Sequence, residues 1–178
     1  MSRLPLVIAP DPVLKKKTEA VADIDDDVRR LMDDMVETMY AERGMGLAAP
    51  QVGILKRVFV MDVGADGGER RLMKLANPEI VWASEETKFY EEGCLSIPGQ
   101  FAEVERPAAV KVRYLDYDGE VREIEDDGVL AVCAQHEIDH LDGVLFVDHL
   151  STLKRNMFLR KSKKFKKDRE RDQAKESA

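Results

Sequence analysis

Apolar residues recur with a helical period early in the chain: Leu31, Met32, Met35, Val36, Met39 and Tyr40 follow Val28 at spacings of 3, 4, 7, 8, 11 and 12. Positions so spaced share one face of an α-helix, which the pattern predicts over about residues 25–43. Asp25 can cap its start, Asp26 and Asp27 suit the positive end of the helix dipole, and Gly44 is a natural stop. The period then changes. Residues 57–63 form a β-branched and apolar run that predicts a strand, closed by the turn-rich residues 64–68. A second strand region is expected over 72–81, broken at Asn77-Pro78. Residues 109–117 alternate, with Val110, Val112 and Tyr114 on one face, and Asp118-Gly119 supplies a hairpin turn into 120–124. Helical spacing returns after residues 126–128, where Val132, Cys133, His136 and His140 follow Val129 by 3, 4, 7 and 11. This helix should end near Asp142-Gly143, and a last one should start near Ser151, a suitable N-cap, and run into the tail. The order of elements points to an α+β fold with an antiparallel or mixed sheet rather than an alternating parallel one.

With 178 residues the chain is expected to form one domain. Its two cysteines, Cys94 and Cys133, are too few for a disulfide framework. No apolar run approaches the roughly 18 residues that cross a bilayer. The apolar stretch at residues 4–9 is short for a signal sequence and runs straight into Pro10-Asp11-Pro12. A soluble, cytoplasmic protein is the expectation. Charge is divided unevenly along the chain. The 28 basic and 35 acidic residues give a net −7, yet residues 154–171 hold ten basic residues against two acidic ones, which leaves −15 on the remainder. An acidic body excludes nonspecific nucleic-acid binding by the whole surface, and only the tail is suited to an anionic partner.

The sharpest chemical pattern is His136-Glu137-Ile138-Asp139-His140. Four residues of helix turn through about 400°, so the two imidazoles sit about 40° apart and about 6 Å along the axis, able to face one ion. Glu137, beside the first of them, can reach a water on that ion without ligating it. A catalytic site needs a third protein ligand and an open position. Downstream, Phe146 occupies the place of the third histidine in the extended zincin pattern, His149 lies past the helix end, and Asn156 stands where a glutamate would serve. Upstream, Cys94 sits in a Gly- and Pro-flanked turn where a thiolate can be presented. Residues 44–49 fit a dinucleotide-binding spacing, but a helix precedes them and Pro50 follows, so that reading fails on context. Glycines there can instead let the backbone approach a ligand closely, with the Gln51 amide free to donate to a carbonyl oxygen.

Three separated segments, GMGLAAPQ at 44–51, EGCLS at 92–96 and QHEIDH at 135–140, occur in the order that marks the peptide deformylases, and the chain resembles the bacterial branch of that family over about residues 4–160. The resemblance implies an α+β fold with antiparallel or mixed sheets packed around a central metal-binding helix, with an N-terminal and a C-terminal helix. It implies one divalent ion held by Cys94, His136 and His140, Fe(II) in the cell, with Zn, Ni or Co able to substitute. It further implies hydrolysis of the formyl group of N-formylmethionyl nascent chains, releasing formate. Glu137 then moves the proton, while the Gln51 side chain and the Leu95 backbone N–H stabilise the formyl oxygen. Met45, Tyr90, Val129, Val132 and Cys133 match the methionine pocket, and Met45, Gly46 and Gly93 would pair with the peptide backbone. Phe101 departs from the pattern, standing where some bacterial relatives carry an arginine. Residues 1–153 are expected to form the catalytic domain and 154–178 a basic helical extension with a frayed end. By the same resemblance, that helix is a candidate for ribosome contact through Lys154, Arg155, Arg160, Lys161, Lys163, Lys164, Lys166 and Lys167, interleaved with Met157, Phe158 and Phe165. Two other classes remain at this stage: a metallopeptidase using His136, Glu137 and His140, and a ribosome-associated protein with a structural metal.

Overall fold

The helix expected from the 28–40 periodicity is α1, Asp26–Ala41, in the computed structural model, which describes residues 2–63 and 71–176. The Asp25 carboxylate accepts the Val28 N–H at 2.8 Å and caps it. Val28, Leu31, Met32, Met35 and Met39 are buried, whereas Val36 is half-buried. Tyr40, at the margin of the apolar stripe, is 41% exposed and turns its hydroxyl to Asp62.

Among the described residues seven strands follow: β1 (Gly46–Ala48), β2 (Val58–Asp62), β3 (Leu72–Ala83), β4 (Thr87–Cys94), β5 (Ile97–Pro107), β6 (Val110–Leu115) and β7 (Val121–Asp126). They make a five-stranded sheet in the order β1-β2-β3-β6-β7 and a separate β4-β5 hairpin, and every ladder is antiparallel. The break expected at Asn77-Pro78 is a bulge inside one strand. Asn77 takes a φ of +48°, and its side-chain amide exchanges hydrogen bonds of 2.9 and 2.8 Å with the Val21 backbone. The turn expected at 64–68 lies outside the described residues. Helices α2 (Val129–Leu141) and α3 (Thr152–Glu176) complete the fold, with short 3-10 turns at Pro12–Lys15, Ala49–Val52 and Phe146–His149.

β2 is buried along its whole length because both of its faces are covered. Phe59 and Met61 pack with Val110, Val112 and Tyr114 of β6 against Leu130, Ala134, Ile138 and Leu141 of α2. Val58 and Val60 point the other way, into the cluster built by α1. A strand covered twice shows no alternation, which is why 57–63 reads as a continuous apolar run. A third cluster joins Ile97 and Val104 of β5 to Phe146, Val147 and Phe158. It docks the first half of α3 on β5, where the Gln100 amide donates to the Phe158 carbonyl and the Ser162 hydroxyl, each at 3.0 Å. The last residues of the expected frayed end, 177–178, lie outside the described residues. Among those described, no helix is long and apolar enough to cross a membrane.

Candidate metal centre and its cleft

Eleven of the thirteen residues of α2 are buried, so the helix runs through the interior and its polar side chains must find partners there. His136 and His140 stand one turn apart, ring centroids 4.9 Å from each other. The end of β4 delivers Cys94 to them. Its Sγ lies 3.2 Å from Nε2 of His140, and the ligand atoms of Cys94, His136 and His140 all fall within 4.8 Å of one another. This is the only such cluster among the described residues. Of the options for a third ligand, the fold brings Cys94 alone to the pair. Phe146 stacks on the His136 ring, His149 binds Asp139, and Asn156 is carried away on α3.

One sulfur and two imidazole nitrogens suit a borderline-soft divalent ion with a fourth position open. The two rings differ in their electrostatic setting. Burial, helped by the charge of His136, holds His140 well below its ordinary pKa. Burial alone would lower His136 as well, but hydrogen bonds with Cys94 and Glu92 hold it well above. Oε2 of Glu137 and Nδ1 of His140 are buried without a hydrogen-bond partner among the described residues.

Behind the histidines lies a buried charge network. Nδ1 of His136 is 2.8 Å from Oε2 of Glu92, which fixes the ring and turns Nε2 towards the cluster. Glu92 is in turn gripped by the Arg106 fork, through Nε to Oε1 and Nη2 to Oε2, the latter at 3.0 Å. Burial pushes the Glu92 carboxyl up, yet the bonds from His136 and Arg106 outweigh it and hold the group down to about 2. Removing one partner of such a pair strands the other's charge, at a cost of about 3–5 kcal/mol. Arg106→Leu should lower unfolding stability by that amount in urea titrations, and a change under about 1 kcal/mol would show the pair to be dispensable.

On the other side of the cluster, Gln51 projects from the 3-10 turn that follows β1. Its Oε1 accepts the Ala48 N–H at 2.9 Å, while Nε2 donates to the Ser96 hydroxyl at 3.2 Å and lies 3.5 Å from Cys94 Sγ. The side-chain donor is thus oriented beside the sulfur. Leu95 occupies the turn between β4 and β5. Glu137 faces β1 at Gly46, where a Cβ would overlap its carboxylate and come within 2.9 Å of Cys133 Sγ. Glycine is required here because the strand passes directly over the acid. Burial pushes the Glu137 carboxyl up to about 7, with the charge of His136 opposing.

These groups open into a cleft of about 720 Å³ lined by Met45, Gly46, Gln51, Tyr90, Gly93, Cys94, Leu95, Val129, Val132, Cys133, His136 and Glu137. Of the site residues expected from the sequence, only His140 does not line it, being 1% exposed and reached through Cys94. Sequence reasoning passed over Ser96, which positions Gln51, and Arg106 and Asp139 behind the histidines. Glu92 was visible only as a neighbour of Cys94. Its signal, an acid on a strand with no apolar face, is indistinguishable from a solvated residue.

Comparison with known proteins gives a consistent result. The sequence profile of the family described as Polypeptide deformylase matches residues 3–156. A protein named peptide deformylase from Phenylobacterium zucineum is 55% identical over 162 residues, 91% of this chain and 96% of that protein. The crystal structure of a peptide deformylase from Ehrlichia chaffeensis superposes with a TM-score of 0.91 at 42% identity, covering 94% of this chain and 98% of the other. A structure of peptide deformylase from the same organism in complex with actinonin superposes at 0.88 with 46% identity, covering 92% and 98%.

Proposed function

This chain belongs to the polypeptide deformylase family, and on that premise we propose how its cleft works. The protein is a hydrolase that removes the formyl group from the N-terminus of formylated nascent peptides. The observation that carries the assignment to this cleft is the gathering of Cys94, His136 and His140 within 4.8 Å beside the buried carboxyl of Glu137. Cys94 and the two histidines would hold a divalent ion. When bound, the ion supplies Lewis acidity, which makes water a nucleophile near neutrality and polarises the formyl carbonyl.

The rest is done by the chain itself. The Gln51 amide and the Leu95 backbone N–H donate to the formyl oxygen as negative charge grows on it. Glu137, its carboxyl poised near neutrality, takes a proton from the attacking water and returns it to the nitrogen as the C–N bond breaks. Formate and a free amino group result. The methionine side chain enters among Met45, Tyr90, Val129, Val132 and Cys133, and the peptide backbone pairs with Met45, Gly46 and Gly93 in the manner of an added strand. The donor set accepts Zn, Ni or Co, and Fe(II) is the ion assigned to it in the cell.

A formate-release assay on formyl-Met-Ala-Ser tests the reading. Wild type should release formate and leave an acetylated control peptide uncut, whereas cleavage of internal peptide bonds would point to a metallopeptidase instead. Gln51→Leu should lower kcat by about 10²–10³-fold, the loss typical of one oxyanion donor, without emptying the metal site.

The work is assigned to the cytoplasm, where nascent chains emerge, with α3 as the part that meets the ribosome. Because Phe158 and Ser162 anchor its first half to β5, cutting the chain after Leu153 would open the core. Charge reversal of the exposed Lys161, Lys163, Lys164 and Lys167 to glutamate is the cleaner test. Ribosome co-sedimentation should fall with that change and with rising salt; binding indifferent to both would remove α3 from the contact.

A further inference from the structure

The turn Phe146–His149 touches the ligand His136 by two routes. Phe146 stacks on its imidazole, centroids 6.1 Å apart and planes 26° from parallel. His149, at the far end of the same turn, places Nε2 2.8 Å from Oδ2 of Asp139, and that oxygen also accepts from Nη1 of Arg106 at 2.9 Å. Arg106 forks onto Glu92, and Glu92 bonds Nδ1 of His136. An unbroken chain of charged hydrogen bonds therefore runs from the metal-site imidazole to a histidine whose side chain is 35% exposed. Nothing in the proposed chemistry uses this outer end.

We propose that His149 is a positioning residue, which holds Asp139 against Arg106 and thereby fixes the Glu92 carboxylate that orients His136. The inference rests on the reading of His136 as a ligand. The geometry supports it: Oδ2 of Asp139 is shared by Nη1 of Arg106 and Nε2 of His149, so the imidazole holds the carboxylate at the place where it meets the guanidinium. Asp139 sits at the edge of the interior, its side chain 25% exposed. Without His149 the Asp139 carboxylate is shared with water, its hold on Nη1 of Arg106 slackens without breaking, and the fork on Glu92 loosens. With Phe146 pressing on the ring face, the turn braces His136 from two sides.

Partners of a ligating histidine typically change metal affinity by 10–100-fold, so a residue two links further out should act by about three- to tenfold. The test is the release of Zn(II) from the loaded protein into excess chromogenic chelator. His149→Leu should release zinc about three- to tenfold faster than wild type, and His149→Gln, which keeps an N–H directed at Asp139, should restore the rate. Asp139→Asn should also quicken release, and adding His149→Leu to it should add nothing, because both cut one chain. Thermal unfolding of the metal-free forms should leave wild type and His149→Leu alike. A wild-type release rate in His149→Leu, fully additive effects in the double variant, or a metal-free melting temperature that falls in step with release would each overturn the positioning role. If wild type took up no zinc, the metal reading itself would fail; if wild type loads and the variants release alike, only the present inference fails.

Discussion

Glu137→Gln should take up metal like wild type and release formate about 10²–10⁴-fold more slowly. The substitution keeps the shape and the hydrogen-bonding reach of the side chain but removes its capacity to carry a proton. Nothing else near the scissile bond can replace it. Gln51 is an amide with no acidic proton to exchange, Cys94 and the histidines would be taken up by the ion on the proposed reading, and Cys133 is a thiol whose burial pushes it well above its ordinary pKa. The change should also leave the fold intact. Glu137 is buried opposite Gly46, with one oxygen unpartnered among the described residues, and a neutral amide there carries less desolvation cost than a carboxylate. Paired kinetics and thermal unfolding on the same preparation decide it. Activity within tenfold of wild type would mean that the proton travels by another route.

Stripping the metal should silence the enzyme without unfolding it. Dialysis against a strong chelator is expected to reduce formate release by more than about 10³-fold, since attack by unactivated water at neutral pH is slow. Zinc, nickel or cobalt should restore activity, and iron should do so under exclusion of oxygen. The stripped protein should keep its far-ultraviolet circular dichroism, because three hydrophobic clusters hold the strands and helices independently of the site. It should nonetheless melt at a lower temperature, for an ion that binds only the folded state adds about 2.7 kcal/mol when present at a hundred times its Kd. Cys94→Ala should reproduce both effects. Full activity in protein shown by elemental analysis to be free of metal would remove the ion from the mechanism.

What could be read from the residues follows from how each element is buried. α1 announces itself because one face is covered and the other is wet. β2 and β6 are legible for related reasons: β2 as an unbroken apolar run between two layers, β6 as an alternation over one. The β4-β5 hairpin left no such trace. Phe89 and Phe101 are 66% and 63% exposed, while the residues that turn inward include Glu92, Gln100 and Arg106. An inward-facing row of polar and charged side chains looks like a solvated loop until its partners are known. The same holds for the centre. The helical spacing of His136 and His140 is local and visible, but the choice of Cys94 over Phe146, His149 and Asn156 depends on where a distant strand ends. The resemblance supplied that choice; the residues on their own left it open.

The double coverage of β2 has a consequence for the geometry of the cleft. Phe59 and Met61 fill the α2 side and the slimmer Val58 and Val60 the α1 side, so a slip of this strand by a single residue would exchange the two inventories and misfit both. β1 takes its alignment from β2, with Gly46 opposite Met61 and Ala48 opposite Phe59. The height at which Gly46 meets Glu137, and at which Gln51 reaches the sulfur, is thus set by a ratchet one strand away, whose teeth are the unequal sizes of four side chains.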